Sequence, residues 1–430
     1  MQDFELKNVK GTFDFLPEEQ IIRNKITNTL RDSFELYGYL PLETPIICYY
    51  DLLASKYAGG SEILKEVYKL EDQGKRKLGL RYDLTVPFSK VIGMMKEPVL
   101  PFKRYEIGKV FRDGPVKMGR NREFYQCDVD VCGVKDISIE AELFSMTVYA
   151  YTKLGIDIEI KYNNRKLLSG LILECGIKED IISNVILIID KLEKISKKEL
   201  YFELNSIGVN ESIADKLFSC FSLSLEEIKD KYINTNNELL KQGIEEILEL
   251  NAYLEGMNII KYTSFKPFLA RGLEIYTGTV WEIFDKKNRI TSSLGGGGRY
   301  DKIITNFIND GNIYPAVGMS FGLEPIYTIL KEENIKTPLY DLYIFPFEMS
   351  PEILNIAQTL RQSGIKVIVE MNRKKIKKGL DFANRNNIPY VIIVGEDEIK
   401  TNTYSLKNML TGEQRSLSLE EIVKELKNEN

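Results

Sequence analysis

The chain has 430 residues, enough for two or three domains at about 150 residues each, and its 43% hydrophobic and 28% charged residues with a net charge of −5 are globular proportions. No apolar run approaches the roughly 20 residues of a membrane-spanning helix, and the acidic start Met-Gln-Asp-Phe-Glu lacks the apolar stretch of a secretory signal. Five cysteines with no C-x-x-C pair argue against a disulfide framework or a structural zinc site and for a reducing cytoplasm, and the absence of any histidine removes Ser-His-Asp, Cys-His and H-E-x-x-H chemistry.

Catalysis must therefore run on carboxylates, Arg, Lys, Tyr, backbone dipoles or bound metal. In chain order, Ile22, Ile26, Leu30 and Phe34 recur at helical spacing behind Leu16-Pro17-Glu18-Glu19, which predicts a helix stopping near Gly38. Leu40 to Ile47 read as one extended strand, confined by Pro41 and Pro45 to an edge or interface. Residues 105–111 and 124–131 alternate apolar and polar, which predicts a long antiparallel hairpin. Gln126, Asp128 and Asp130 then share one face, Arg112 stands at the base of the loop, and Lys117, Arg120 and Arg122 sit in it. A guanidinium at a strand end suits bidentate phosphate recognition, and a solvated charged tip fits the same spacing.

Residues about 170–258 are Leu/Ile/Lys/Glu-rich, nearly free of proline and helix-periodic at Ile182, Val185, Ile186 and Ile189, with no polar or glycine constellation. They read as a helical insertion. Strands return from about 262. Arg271-Gly272-Leu273-Glu274 leads into a strand pattern flanked by Gly272 and Gly278, which fits either close approach of a ligand or a bulged core strand with a buried ion pair. The run Gly295 to Gly298 is too flexible for an ordinary strand, and it would let a flat ligand lie on bare backbone. It matches neither G-x-G-x-x-G nor the Walker pattern. Lys336-Thr337-Pro338 reads as a linker. Beyond it, strand 341–347, a helix from Ser350, strand 365–371, a helix from about Lys374 and strand 390–394 predict a small α/β domain with a largely parallel sheet.

Six segments occur in the order found in histidyl-tRNA synthetases, which are class II aminoacyl-tRNA synthetases. They are Lys10-Gly11-Thr12, Leu80-Arg81-Tyr82-Asp83-Leu84-Thr85, the arginine hairpin, Arg271-Gly272-Leu273-Glu274 with Tyr276-Thr277-Gly278-Thr279, Gly297-Gly298-Arg299-Tyr300-Asp301, and Val317 to Glu324. The resemblance extends to Val394-Gly395-Glu396-Asp397-Glu398 and Thr411-Gly412-Glu413-Gln414, which resemble the family's anticodon-binding domain. It implies an α+β catalytic core over 1–335, an antiparallel sheet flanked by helices with the insertion at about 170–258, and an α/β anticodon-binding domain over 339–430. It implies a cytoplasmic homodimer, off the membrane, that joins L-histidine to ATP with Mg²⁺, releases pyrophosphate, and passes the histidyl group to tRNA(His). No protein metal site and no tightly bound organic cofactor are expected. Carried over by resemblance, Arg112 and Arg271 are the catalytic arginines. Asp83, Thr85 and Gln126 hold the amino end of histidine, Asp130 and Tyr276 meet the imidazole, and Arg112, Arg120 and Glu324 serve ATP. The segment Leu40 to Pro45 resembles the class II dimer motif.

One departure stands out. The family's third motif ends in an arginine after the glutamate, holding the γ-phosphate, and here Pro325 follows Glu324. Either another cation substitutes or ATP use is weakened. The departure leaves open a second expectation, the synthetase-like regulatory subunit of ATP phosphoribosyltransferase, a non-catalytic histidine sensor. The nearly intact arginine hairpin, Arg271 and the C-terminal domain speak against it.

Overall fold

The structure is a computed structural model that describes residues 5–55, 62–95, 98–116, 121–271, 275–333, 339–372 and 375–428. Two compact units emerge: residues 1–14 with 23–330, and residues 331–430 with 15–22.

The larger unit is built on an eight-stranded sheet. Its strands run in the order Leu40–Pro41, Phe102–Phe111, Glu123–Cys132, Ala316–Gly322, Gly295–Arg299, Thr279–Asp285, Ile158–Asn164 and Thr263–Phe265. The five inner pairings are antiparallel, and the two edge strands join in parallel. Period-two alternation assigns the faces. One face carries Val129, Val131, Met319, Phe321 and Trp281, all buried. It meets the helix Pro17–Leu36 through Phe34 against Phe321 (ring centroids 5.3 Å apart) and the helix Ser138–Lys153 through Phe144 against Trp281 (5.0 Å). Each such fully buried side chain contributes about 1.5–3 kcal/mol. The opposite face is polar, and it is where the cavity described below lies.

In the larger unit, sequence and structure part company at three places. The expected strand Leu40 to Ile47 is broken: Leu40–Pro41 join the main sheet, while Ile47–Tyr49 enter a separate three-stranded sheet with Lys77–Leu80 and Lys69–Glu71. Pro45 supplies no ladder donor at the break. The four-glycine run is not a flexible loop but the start of the central strand Gly295–Arg299, paired on both sides. The strand expected between Gly272 and Gly278 begins only at Thr279, and Gly272 to Glu274 lie outside the described residues.

The insertion is helical throughout, from Arg165–Glu174 to Glu238–Gly256. Those two helices cross closely: a Cβ on Gly243 would stand 2.2 Å from the Leu167 backbone nitrogen. Ser196/Glu199 and Ser224/Glu227 start two of the shorter helices as capping boxes.

The smaller unit holds a five-stranded sheet in the order Val367–Val369, Leu342–Pro346, Tyr390–Val394, Tyr404–Asn408 and Gln414–Leu417. The first three strands are parallel, as expected; the last two form an antiparallel hairpin that the alternation of strands and helices did not suggest. Leu342 and Ile344 face the helices Pro351–Gln362 and Leu419–Asn428, while Tyr343 and Phe345 face the helix Ile376–Arg385. The linker residues Lys336, Thr337 and Pro338 lie outside the described residues. No helix among the described residues is long and apolar enough to cross a membrane.

Candidate active site

Strand register brings the polar residues of the sheet into rows. Arg104 pairs with Asp130, Asp130 with Gly318, and Gly318 with Gly298. The adjacent row on the same face runs Glu106, Asp128, Ser320, Gly296, Glu282. A cavity of about 840 Å3 opens over these rows. Asp83, Thr85, Arg112, Gln126, Asp130, Arg271, Tyr276 and Glu324 all line it, as do Asp128, Glu282 and Pro325. Arg120, expected with them, lies outside the described residues, as does Lys117.

The glycines explain how large side chains lie flat on this face. A Cβ on Gly296 would stand 2.3 Å from Nη1 of Arg271 and 2.6 Å from the Trp281 carbonyl oxygen. One on Gly298 would stand 2.6 Å from the Tyr276 ring, and one on Gly318 would stand 2.0 Å from Oδ1 of Asp130. Real Cβ atoms do not approach so closely, so these strands are glycine-rich where the side chains of Arg271, Tyr276 and Asp130 occupy the space.

Among the described residues, neither arginine is neutralised by a short ion pair. Arg112 donates from Nε to the Tyr82 carbonyl (3.2 Å), with its guanidinium 5.0 Å from the Phe124 ring centroid. Arg271 donates from Nη1 to the Trp281 carbonyl (3.3 Å) and lies 5.5 Å from the Tyr276 ring. Burial pushes the Glu282 carboxyl up, against the pull of Arg271.

Behind the rim, Arg81 anchors the segment that carries Asp83 and Thr85. It donates to Glu106 (2.7 Å), to the carbonyls of Thr44 (2.6 Å) and Lys109 (2.9 Å), and fills the space over Gly108, where a Cβ would meet Nη2 at 2.3 Å. Asp83 accepts from the Val86 amide (3.0 Å), which fixes its carboxylate at the start of the helix Thr85–Met94. Asp130 pairs with Arg104 (2.6 Å) and accepts a hydrogen bond from the Tyr300 hydroxyl. Gln126 keeps its side-chain oxygen buried with no hydrogen-bond partner among the described residues. Glu324 is gripped by both terminal nitrogens of Arg23 (2.7 and 2.8 Å).

Four residues in or behind the cavity were given no role from the sequence. Asp128 was legible from its alternation with Gln126 and Asp130, and Glu282 sits next to a named motif. Arg23 and Lys194 gave no signal. Arg23 lies in an amphipathic helix 301 residues from its partner, and Lys194, which lines the cavity with Asp190, comes from the insertion.

Comparison with known proteins agrees with this geometry. Residues 11–326 match the family described as histidyl-tRNA synthetase, and residues 341–429 match the anticodon-binding domain. The chain is 50% identical over 415 residues to histidine–tRNA ligase 1 of Bacillus cereus, covering 95% of this chain and 97% of that protein. The crystal structure of histidyl-tRNA synthetase from Nostoc sp. PCC 7120 superposes with a TM-score of 0.87 at 28% identity, covering 99% of this chain and all of that one. A structure from Bacillus halodurans, described as an ATP phosphoribosyltransferase regulatory subunit/histidyl-tRNA synthetase, shares the fold: TM-score 0.75, 21% identity, 91% of this chain and 99% of that one. The fold is that of a class II aminoacyl-tRNA synthetase, an ATP-using ligase. The chain belongs to the histidyl-tRNA synthetase family.

Proposed function

We propose that this ligase activates L-histidine in the cavity over the glycine-lined sheet face and transfers it to tRNA(His). The observation that carries the reading is the approach of Arg112 and Arg271 to one cavity, each oriented by carbonyl and ring contacts that leave its charge available. The histidine carboxylate, already ionised at neutral pH, attacks the α-phosphorus of ATP. The bond from that phosphorus to the bridging oxygen breaks, and pyrophosphate departs. No proton need be removed, which suits a chain without histidine. The work is alignment and stabilisation of charge gathering on the α-phosphate, a task for fixed guanidinium groups. Mg²⁺ enters as part of the nucleotide substrate. In the second step a ribose hydroxyl at the 3′ end of the tRNA attacks the histidyl carbonyl, forming the ester and releasing AMP.

Asp83, Thr85 and Gln126 are assigned to the amino end of histidine, where the unpartnered oxygen of Gln126 suits an ammonium donor. Tyr276 and Asp130 border the ring end, Asp130 also fixing Tyr300. Arg112, Arg120 and Glu324 are assigned to ATP, Glu324 through the order that Arg23 imposes on it. Residues 1–335 are read as the catalytic domain and 339–430 as the anticodon-binding domain. A cytoplasmic homodimer is the assembly proposed, and exposed Leu40, Ile47 and Tyr49 support it as apolar side chains suited to a partner. Charging of a tRNA(His) transcript with labelled histidine tests the function. Histidine binding without charging would favour the regulatory-subunit reading.

Pro325 lies at the third position of the helix Leu323–Glu332, where its missing N–H has no intrahelical partner. Lys194, paired with Asp190 at 3.0 Å, borders the same cavity and is a second cation beside Arg112 and Arg271 for a phosphate there. Pro325→Arg is therefore expected to change the ATP dependence of pyrophosphate exchange by less than about tenfold. A site short of a ligand would gain a charge-assisted hydrogen bond of about 1.5–3 kcal/mol, roughly 10- to 150-fold in affinity. A gain above tenfold would show that no other side chain had replaced the arginine.

A further inference from the structure

The helical insertion holds two thiols that the reaction above does not use. Cys175 caps the C-terminal end of the helix Arg165–Glu174, and Cys220 closes the helix Glu211–Cys220. Both are buried, and they interact with each other through a hydrogen bond. Three segments are pinned around them: Lys216 Nζ donates to the Glu174 carbonyl (2.7 Å), and Thr235 Oγ1 donates to the Glu174 carboxylate (2.6 Å). Cys220 has further polar company. Lys231 Nζ donates to its Sγ at 3.8 Å, and the Tyr232 hydroxyl lies 3.3 Å from that sulfur. Lys216 and Lys231 are exposed and Tyr232 is half-buried, so one layer of side chains separates the pair from water. Both cysteines end helices, where the dipole disfavours an anion, and the groups around each sulfur decide which one ionises. The hydrogen bond from Cys175, then Tyr232 and Lys231, pull the Cys220 thiol down against the cost of burial. The same hydrogen bond, with burial, pushes Cys175 up. The pair thus divides into a thiolate and a thiol.

We propose that Cys175 and Cys220 are a reversible oxidation site, which hydrogen peroxide converts into an intramolecular disulfide tying the two helices together. The Cys220 thiolate attacks one peroxide oxygen. A sulfur–oxygen bond forms, the O–O bond breaks, and its electron pair leaves on hydroxide, which takes up the proton that Cys220 gave to solvent. The Cys175 sulfur then attacks the sulfenic sulfur. The S–S bond forms, and the departing hydroxide takes the Cys175 proton and leaves as water. The two sulfurs together give up two electrons to the peroxide: two thiols and one peroxide yield one disulfide and two waters. No C-x-x-C motif marks the pair because its members come from different helices. The other three cysteines, Cys48, Cys127 and Cys132, are held as thiols chiefly by burial, and the thiolate is the form that reacts.

The test treats the reduced full chain with equimolar hydrogen peroxide at neutral pH. Wild type should lose two of its five free thiols, peptide mapping should join Cys175 to Cys220, and dithiothreitol should restore both. Cys175→Ser removes the second thiol and should leave a sulfenic acid on Cys220 that dimedone labels. Cys220→Ser should leave Cys175 unlabelled. Lys231→Met should slow disulfide formation about threefold or more, because losing the cation lowers the thiolate fraction by more than the gain in basicity restores. Survival of all five thiols in wild type would overturn the proposal, and so would reaction at Cys48, Cys127 or Cys132 ahead of the pair. Dimedone labelling of Cys175 in the Cys220→Ser chain, or an unchanged rate in Lys231→Met, would overturn the part given to Cys220. The wild-type peptide map decides the pairing without any variant.

Discussion

Arg271→Ala is expected to slow histidyl-adenylate formation about 100- to 1000-fold while changing histidine affinity far less. The side chain lies across bare backbone, with its Nη1 where a Cβ of Gly296 would be and 3.3 Å from the Trp281 carbonyl. That placement fixes a positive charge before substrate arrives, so little reorganisation is needed as charge builds on the α-phosphate. Glu282, across the register from Gly296, sits near enough to feel Arg271 electrostatically. Removing the guanidinium therefore removes transition-state stabilisation and leaves the amino-end and ring contacts in place. Pyrophosphate-exchange kinetics beside equilibrium histidine binding separate the two effects. Wild-type turnover in the variant would make Arg271 a structural side chain only.

Arg299→Leu is expected to destabilise the larger unit by about 3–5 kcal/mol, because it strands a buried charge. Arg299 grips Glu140 with two bonds of 2.7 Å and also donates to the carbonyls of Val134 (2.9 Å) and Asp136 (3.3 Å). Glu140 is fully buried. Burial pushes its carboxyl up to about 7, against the pull of Arg299. Without the guanidinium the carboxyl shifts further upward. A carboxyl whose folded pKa exceeds its unfolded value loses stability as pH rises between the two. The penalty should thus be larger at pH 8 than at pH 5, as read from urea unfolding of wild type and variant at both. Unfolding midpoints that coincide at pH 8 would refute the assignment.

Much of this architecture could be read from the chain, and the exceptions have physical causes. The hairpin of Phe102–Phe111 and Glu123–Cys132 was legible because one polar face against one apolar face imposes strict alternation. The same alternation put Gln126, Asp128 and Asp130 together. Glycine propensity misled at Gly295 to Gly298, since a strand there is imposed by its neighbours and its missing side chains make room for Arg271 and Tyr276. The break after Pro41 and the final hairpin Tyr404–Leu417 depend on which sheet receives each segment, which local pattern does not encode. Arg23 and Lys194 reach their places through tertiary packing alone.

The measurement that tests the central claim most directly is histidine-dependent exchange of labelled pyrophosphate into ATP by the purified full chain with Mg²⁺. The cavity with Arg112 and Arg271 in place predicts exchange that requires histidine and is lost when another amino acid replaces it. Saturable histidine binding with no exchange at saturating ATP would contradict the account.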